Sequence, residues 1–299
     1  MPGSESDWKS IGTVQRIIDQ ATRRIPRQPY PELPVVLERF MLGVQCALKA
    51  NFVGGYLVGS LATGDFDLDS DVDFLVVTDD ELTEAEVSLL QAMQVEIHNV
   101  GCYPAQHLEG SYISRHSLAR IDLVGVQPLW YVDNGSTLLE RSVHDNQWHV
   151  RWILRERSIT LMGPDPKALM QPVSTEALRT EMITSIEKLR THFVAELDKP
   201  LAWFNTRFGQ SFTVLTCCRM LHTLQIRAVK SKLAAVQWAE QSLSAEWHEL
   251  IRQAWDERKG VRFGVKVRQP ANARALQETA RFVAFAQNES VCAGSDFDM

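Results

Sequence analysis

The chain has 299 residues, 45% hydrophobic and 23% charged, with a formal net charge of −6. It is long for one compact domain and comfortable for two, and its composition excludes the disordered, coiled-coil and fibrous classes. The negative balance opposes any partner bound by neutralising many phosphates, so a nucleic acid is not expected, while a cationic small molecule is permitted.

Apolar residues at helical spacing run through Val14 to Ala21 and again from Leu37 to Ala50, separated by PRQPYPELP, which cannot be helical throughout. FVGGYLVGS then reads as a strand, followed by an aspartate-rich loop and a second apolar strand, DFLVV. A polar turn, TDDELT, leads into a helical pattern from Glu84 to Val95. Further strands are expected at His107 to Ile113, Ile121 to Val126 and Pro128 to Val132. From Trp148 onward the signals are helical: WHVRWILRERSI, a long pattern after Ser174, FTVLTCCRMLHTLQI, KLAAVQWAEQSL and ANARALQETARFVAFAQ. The expected class is therefore α+β, a mixed sheet with helices followed by an all-α domain, divided near residue 160 at the Gly163-Pro164 and Gln171-Pro172 breaks. In residue ranges this gives a lead-in over 1–34, a sheet domain over 35–160, a helical domain over 161–290 and a flexible tail over 291–299.

The five cysteines, Cys46, Cys102, Cys217, Cys218 and Cys292, are odd in number and lack Cys-x-x-Cys spacing, which favours a reducing cytoplasm over a disulfide framework or a zinc site. No basic-then-apolar leader and no membrane-length apolar run is present, so neither secretion nor a membrane span is expected. The sequence does not fix an oligomeric state.

The chemistry concentrates in GSLATGDFDLDSDVDFLVV, Gly59 to Val77, where every second residue from Asp65 to Asp73 is an aspartate. An EF-hand fails on count, because Ser70 and Val76 stand where glycine and a bidentate glutamate are required. Asp65, Asp67 and Asp69 read as solvated turn carboxylates. Asp71 and Asp73 differ, since they open an apolar strand, and a period of two puts both side chains on one face roughly 7 Å apart. Such a pair is costly unless cations hold it. Upstream, Gly59, Ser60 and a turn at Gly64 make a cradle in which backbone N–H groups and a hydroxyl can approach phosphate oxygens. Together these features suit phosphoryl or nucleotidyl transfer supported by two metal ions.

The order Gly-Ser, short loop, Ser-Asp-x-Asp and apolar strand resembles the signature of the polymerase-β-type nucleotidyltransferase superfamily. The resemblance continues through ILRERSITLMGPDPKALMQPVSTEALR and TVLTCCRMLHTLQIRAVKSKLAAVQWAEQSLSAEWHELIRQA, which are similar to the C-terminal domain of the streptomycin/spectinomycin-type aminoglycoside adenylyltransferases. The resemblance implies a nucleotidyltransferase-fold domain, a helical domain, ATP as co-substrate, two Mg²⁺ ions and a small-molecule acceptor. It implies that Gly59 and Ser60 bind phosphate, that Asp71 and Asp73 bind metal, and that Glu109 in HLEGSYI is both a metal ligand and the general base, with Asp122 the alternative base. It also aligns Arg219 with a nucleotide-contacting arginine and Lys232 with a phosphate-reaching lysine, Lys230, two residues earlier, being the substitute if the register slips.

Gly209 departs from that family, standing where an aspartate grips the aminoglycoside. Residues 111–146 also diverge, and Trp130, Tyr131, His144, Asp145 and Trp148 are candidates for an acceptor pocket, with aromatic core as the competing explanation. The expected activity is Mg²⁺-dependent transfer of AMP from ATP to a hydroxyl, of an aminoglycoside by preference, with release of pyrophosphate. Transfer to a protein hydroxyl or another metabolite, and a non-catalytic nucleotide-binding role, stand as alternatives.

Overall fold

The computed structural model describes residues 5–23, 25, 28–199, 202–259 and 269–295. The chain divides into two compact units, Met1–Val173 and Ser174–Met299.

The first unit contains, in order, α1 (Glu5–Thr22), α2 (Leu33–Leu48), β1 (Phe52–Leu57), α3 (Gly59–Thr63), β2 (Val72–Thr78) and α4 (Glu84–His98). There follow α5 (Tyr103–Gln106), β3 (Leu108–Ser114), α6 (Arg115–Ala119), β4 (Leu129–Val132), β5 (Leu139–Ser142), α7 (Trp148–Glu156) and β6 (Ile159–Met162). The six strands form one sheet in the order β5-β4-β3-β2-β1-β6. It is mixed: β2 and β3 run parallel, and the other neighbours are antiparallel.

Apolar periodicity explains how the helices cover this sheet. In α2, Leu33, Val36, Leu37, Phe40, Met41, Val44 and Leu48 recur every three or four residues and are all buried. Phe40 packs on Phe74 of β2 with ring centroids 4.5 Å apart, and Phe74 meets Tyr112 of β3 edge-on at 5.7 Å. Each such side chain taken from water contributes about 1.5–3 kcal/mol. α4 starts at a capping box, in which Thr83 Oγ1 accepts from the Glu86 N–H and the Glu86 carboxylate accepts from the Thr83 N–H.

The second unit is helical: α8 (Thr175–Glu196), α9 (Arg207–Ile226), α10 (Lys232–Ser242), α11 (His248–Arg258) and α12 (Ala273–Ser295). α9 is its centre, buried on most of its circumference and packed by the other four helices. Ser174, Thr206 and Ser231 cap α8, α9 and α10 through hydroxyls that accept from backbone N–H groups three residues on. No helix is long and apolar enough to cross a membrane among the described residues.

Several expectations change. The division falls at Val173 and not near residue 160, because Ile159–Met162 leaves the helical pattern to pair with β1, Tyr56 opposite Thr160. The lead-in is no separate piece: Val14, Ile18, Ala21 and Ile25 lie in the core of the first unit. Ile121 to Val126 is a series of turns, with Ile121 and Val126 exposed, and not a strand. Residues 291–295 of the expected tail continue α12, and residues 296–299 lie outside the described residues.

Candidate active site

The site is built at the ends of β1, β2 and β3. β1 gives way to α3 at Gly59, whose φ of +55° and close approach both require glycine: a Cβ there would lie 1.9 Å from Asp73 Oδ2. Ser60 follows, and its buried Oγ has no hydrogen-bond partner among the described residues. Gly64, at φ +90°, ends α3 and returns its N–H to the Ser60 carbonyl. The expected cradle is therefore a glycine-started turn of helix closed by a second glycine.

The aspartate loop then delivers Asp71. Asp67 Oδ1 accepts from Ser70 Oγ at 2.7 Å and from the Asp69 N–H at 3.1 Å, closing a turn that sets the chain entering β2. Asp65, Asp67 and Asp69 are half-buried, so they are more engaged in the loop than solvated carboxylates.

The parallel pairing of β2 and β3 puts Asp73 opposite Glu109. With Asp71 they form the cluster expected from the sequence, one oxygen of each lying within 4.8 Å of the others. Asp71 is 6% and Glu109 9% exposed. Three converging carboxylate oxygens are the hard donor set that suits Mg²⁺, and the unsatisfied Ser60 hydroxyl beside a Cβ-less Gly59 leaves a donor for a phosphate. The residues fit a divalent metal and a nucleotide phosphate. Asp122 is not in this cluster. It is exposed and ion-paired with Arg120, whose guanidinium holds its carboxyl at a pKa of about 2.

Around Glu109 lie three of the five acceptor-pocket candidates. Tyr131 Oη donates to Glu109 Oε1 at 2.7 Å and lies 3.0 Å from Asp133 Oδ1. Burial and the nearby Glu109 charge push the Tyr131 hydroxyl far above its ordinary pKa, so it stays a donor. His144 Nε2 is 3.6 Å from Glu109 Oε1 and 4.0 Å from Asp145 Oδ1, and its ring lies 5.2 Å from that of Tyr131. Asp145 accepts from Ser111 Oγ at 2.8 Å, and burial raises its carboxyl above the usual range, partly opposed by the neighbouring His144. Trp130 is not among them. Alternation along β4 turns it to the other face, where the Arg141 guanidinium sits 5.1 Å over its ring. Trp148 is the half-buried first residue of α7.

Sequence reasoning missed Asn134. It lies in the turn after β4, its Nδ2 donates to Asp71 Oδ1, and its Oδ1 faces His107 Nδ1 at 2.7 Å. The Asn-Gly pair in PLWYVDNG was the available signal, since it marks a hairpin turn beside the neighbouring strand.

In the second unit, Arg219 is half-buried on α9, Lys232 is the half-buried first residue of α10, and Lys230 precedes it in the connecting loop. Gly209 lies in the first turn of α9, where a Cβ would meet the Trp203 carbonyl at 2.1 Å. The position therefore excludes any side chain while Trp203 and Phe204 keep their places.

Comparison with known proteins agrees with this geometry. The family model "Nucleotidyltransferase domain" matches residues 52–120, which contain Gly59, Ser60, Asp71, Asp73 and Glu109, and "Aminoglycoside adenylyltransferase, C-terminal domain" matches residues 168–285. The chain is a nucleotidyltransferase resembling the aminoglycoside adenylyltransferases. A spectinomycin 9-adenylyltransferase of Campylobacter jejuni is 22% identical over 75% of this chain and 84% of its own length. One from Staphylococcus aureus is 25% identical over 80% of this chain and 86% of its own. The crystal structure of spectinomycin adenyltransferase AAD(9) from Enterococcus faecialis with ATP and spectinomycin shares the fold, with a TM-score of 0.63, 17% identity, and coverage of 85% of this chain and 98% of that one.

Proposed function

We propose that this nucleotidyltransferase moves AMP from ATP to a hydroxyl of an aminoglycoside-class small molecule, with Mg²⁺ and with release of pyrophosphate. The observation that carries the reading is the convergence of Asp71, Asp73 and Glu109 beside the unpartnered Ser60 hydroxyl. The spectinomycin adenylyltransferases among its relatives support the acceptor class. A cytoplasmic setting accords with the use of ATP and with five free cysteines.

In this mechanism Asp71, Asp73 and Glu109 would hold Mg²⁺, two ions in the expected arrangement, and Ser60 Oγ with the N–H groups at the start of α3 would hold phosphate oxygens. Mg²⁺ held there would supply positive charge against the phosphates of ATP. Glu109 takes the proton of the acceptor hydroxyl while that oxygen bonds to the α-phosphorus and the bond to pyrophosphate breaks. Tyr131, by donating to Glu109, fixes the carboxylate that does so. Arg219 and Lys232 are the cations that the family resemblance proposes for the nucleotide and its phosphates.

Gly209 favours a second reading of the acceptor alone: with no side chain possible there, the aspartate grip of the family is missing, and another metabolite or a protein hydroxyl takes the aminoglycoside's place. The experiment is pyrophosphate release from Mg²⁺ and ATP against a panel containing spectinomycin and streptomycin, with an Asp71→Asn, Asp73→Asn variant as control. Turnover with one drug that the variant lacks is the expected result. Silence with every drug, with label from ATP entering other lysate components, selects the second reading. Equal release by the variant overturns the metal assignment.

A further inference from the structure

Asp71 approaches the site from a loop and not from a strand interior, so something other than sheet pairing must aim its carboxylate. One such contact is a side-chain amide. Asn134, in the turn that follows β4, donates from Nδ2 to Asp71 Oδ1. Alone, an amide could rotate by half a turn and set its carbonyl oxygen against the carboxylate, where two acceptors repel. His107 prevents this. Its Nδ1 lies 2.7 Å from Asn134 Oδ1, an atom that only accepts, so Nδ1 carries the proton and the amide has one favourable orientation.

His107 is itself held. It immediately precedes β3, its carbonyl accepts from the Val72 N–H at 2.9 Å, and its ring lies 4.1 Å from that of Tyr103. Tyr103 stacks on Tyr30 at 4.8 Å with a 7° interplanar angle, and Tyr30 Oη donates to the Leu68 carbonyl at 2.6 Å. The ladder Tyr30, Tyr103, His107, Asn134 thus touches the aspartate loop at Leu68 and again at Asp71. Tyr30 comes from the Pro-containing lead-in, which gives that segment a part in the site's geometry.

We propose that Asn134, oriented by His107, is the positioning residue that aims Asp71 at the metal. The inference rests on the reading of Asp71 as a metal ligand. An amide N–H on one carboxylate oxygen restricts the rotation of the group without neutralising it, and groups of this kind that orient metal ligands are worth roughly 10–100-fold in metal affinity.

The test is titration of the full-length protein with Mn²⁺ alone, followed by the EPR signal of the free ion, for wild type, Asp71→Asn, Asn134→Ala, His107→Ala and His107→Asn, each with its thermal midpoint. An asparagine at 107 keeps an N–H near the place of Nδ1. Asn134→Ala and His107→Ala are expected to weaken Mn²⁺ binding about 10–100-fold, and His107→Asn to stay close to wild type. A merely structural role would lower the midpoint without separating the two His107 variants in Mn²⁺ affinity, and that pair decides the matter if Asn134→Ala does not fold. Wild-type affinity in Asn134→Ala alongside lost affinity in Asp71→Asn overturns the role of Asn134 and leaves Asp71 a ligand. Equal affinity in wild type and Asp71→Asn overturns the metal reading and this inference with it.

Discussion

Asp73 and Glu109 stand opposite each other on the parallel strands β2 and β3, so the backbone register alone brings two carboxylates to one end of the sheet. Substitution tests the roles proposed for them. If Asp73 binds the metal as proposed, Asp73→Asn is expected to lower the rate of pyrophosphate release by about 10³-fold, the equivalent of roughly 4 kcal/mol of transition-state stabilisation. If Glu109 is both base and metal ligand as proposed, Glu109→Gln keeps the shape but removes the base and weakens a ligand, with a loss of about 10²–10⁴-fold in kcat. Steady-state kinetics on both variants checks this pattern. Full activity in Glu109→Gln would remove it as the base.

Gly59→Ala tests the cradle. The added Cβ meets Asp73 Oδ2 at 1.9 Å, and φ at +55° costs a non-glycine residue about 1–2 kcal/mol. Asp73 or the start of α3 must move, so both phosphate binding and metal binding should suffer. The expected outcome is a drop of at least about tenfold in kcat/KM for ATP, with a stability loss of about 1–2 kcal/mol in urea titrations. Unchanged kinetics would mean that α3 relaxes without affecting the site.

Among the described residues, Arg151 is the largest fully buried side chain. Burial lowers its guanidinium pKa to about 10, and it donates to the carbonyls of Ser117, Leu118 and Arg120 and to Asn146 Oδ1. Asn146 in turn donates to the carbonyls of Leu123 and Gln127, so the turns of 120–127 and the segment carrying His144 and Asp145 share one anchor. Arg151→Met fills much of the volume but strands those acceptors, each at about 1–3 kcal/mol. A thermal midpoint lowered by several degrees and weaker acceptor binding are expected. A variant as stable as wild type would show that water takes over the acceptors.

These particulars show where the sequence was sufficient. Local pattern singled out Gly59 and Ser60 at a strand end and Asp71 and Asp73 at the start of an apolar strand, whereas Glu109 came from the family resemblance; the parallel register brings the three carboxylates together. The helical half was legible from its periodic apolar runs and from Ser174 ahead of the first, while the Thr206 and Ser231 caps emerge only in the structure. What local pattern cannot carry is pairing chosen by tertiary structure. Ile159–Met162 is a strand only because β1 offers an edge, and IDLVGV alternates like a strand but leaves Ile121 66% exposed, with no strand paired to it among the described residues. Asn134 was hidden because its partners, Asp71 and His107, are far from it in sequence.

The capping box of α4 gives a pH-dependent test of stability. Burial raises the Glu86 pKa, but hydrogen bonds from the Thr83 N–H, the Thr83 hydroxyl and Asn51 outweigh it, and the net shift is downward from 4.5. A carboxylate depressed on folding stabilises above its unfolded pKa and loses that contribution as pH falls through the folded one. Thr83→Ala should therefore cost about 1 kcal/mol at pH 7 and less at pH 3, measured by urea denaturation. A cost that does not change with pH would mean that Glu86 adds nothing through its charge.

Gly209 offers the sharpest contrast between alignment and structure. By alignment alone, Gly209→Asp restores the family's aspartate and should improve aminoglycoside use. The packing predicts otherwise, because a Cβ would meet the Trp203 carbonyl at 2.1 Å and Phe204 Cα at 2.9 Å, backbone atoms that cannot step aside like a flexible side chain. The Gly209 N–H is also bound to Thr206 Oγ1, the cap of α9, at 3.0 Å, so a shift of this turn loosens the start of the central helix as well. Overpacking of this kind costs about 1–3 kcal/mol, and loss of the cap adds about 1 kcal/mol. The expected result is a lower thermal midpoint and no gain in turnover with spectinomycin or streptomycin. A stable Gly209→Asp protein with faster turnover would mean instead that the Trp203–Asn205 turn yields easily, and that the missing carboxylate was all that limited acceptor use.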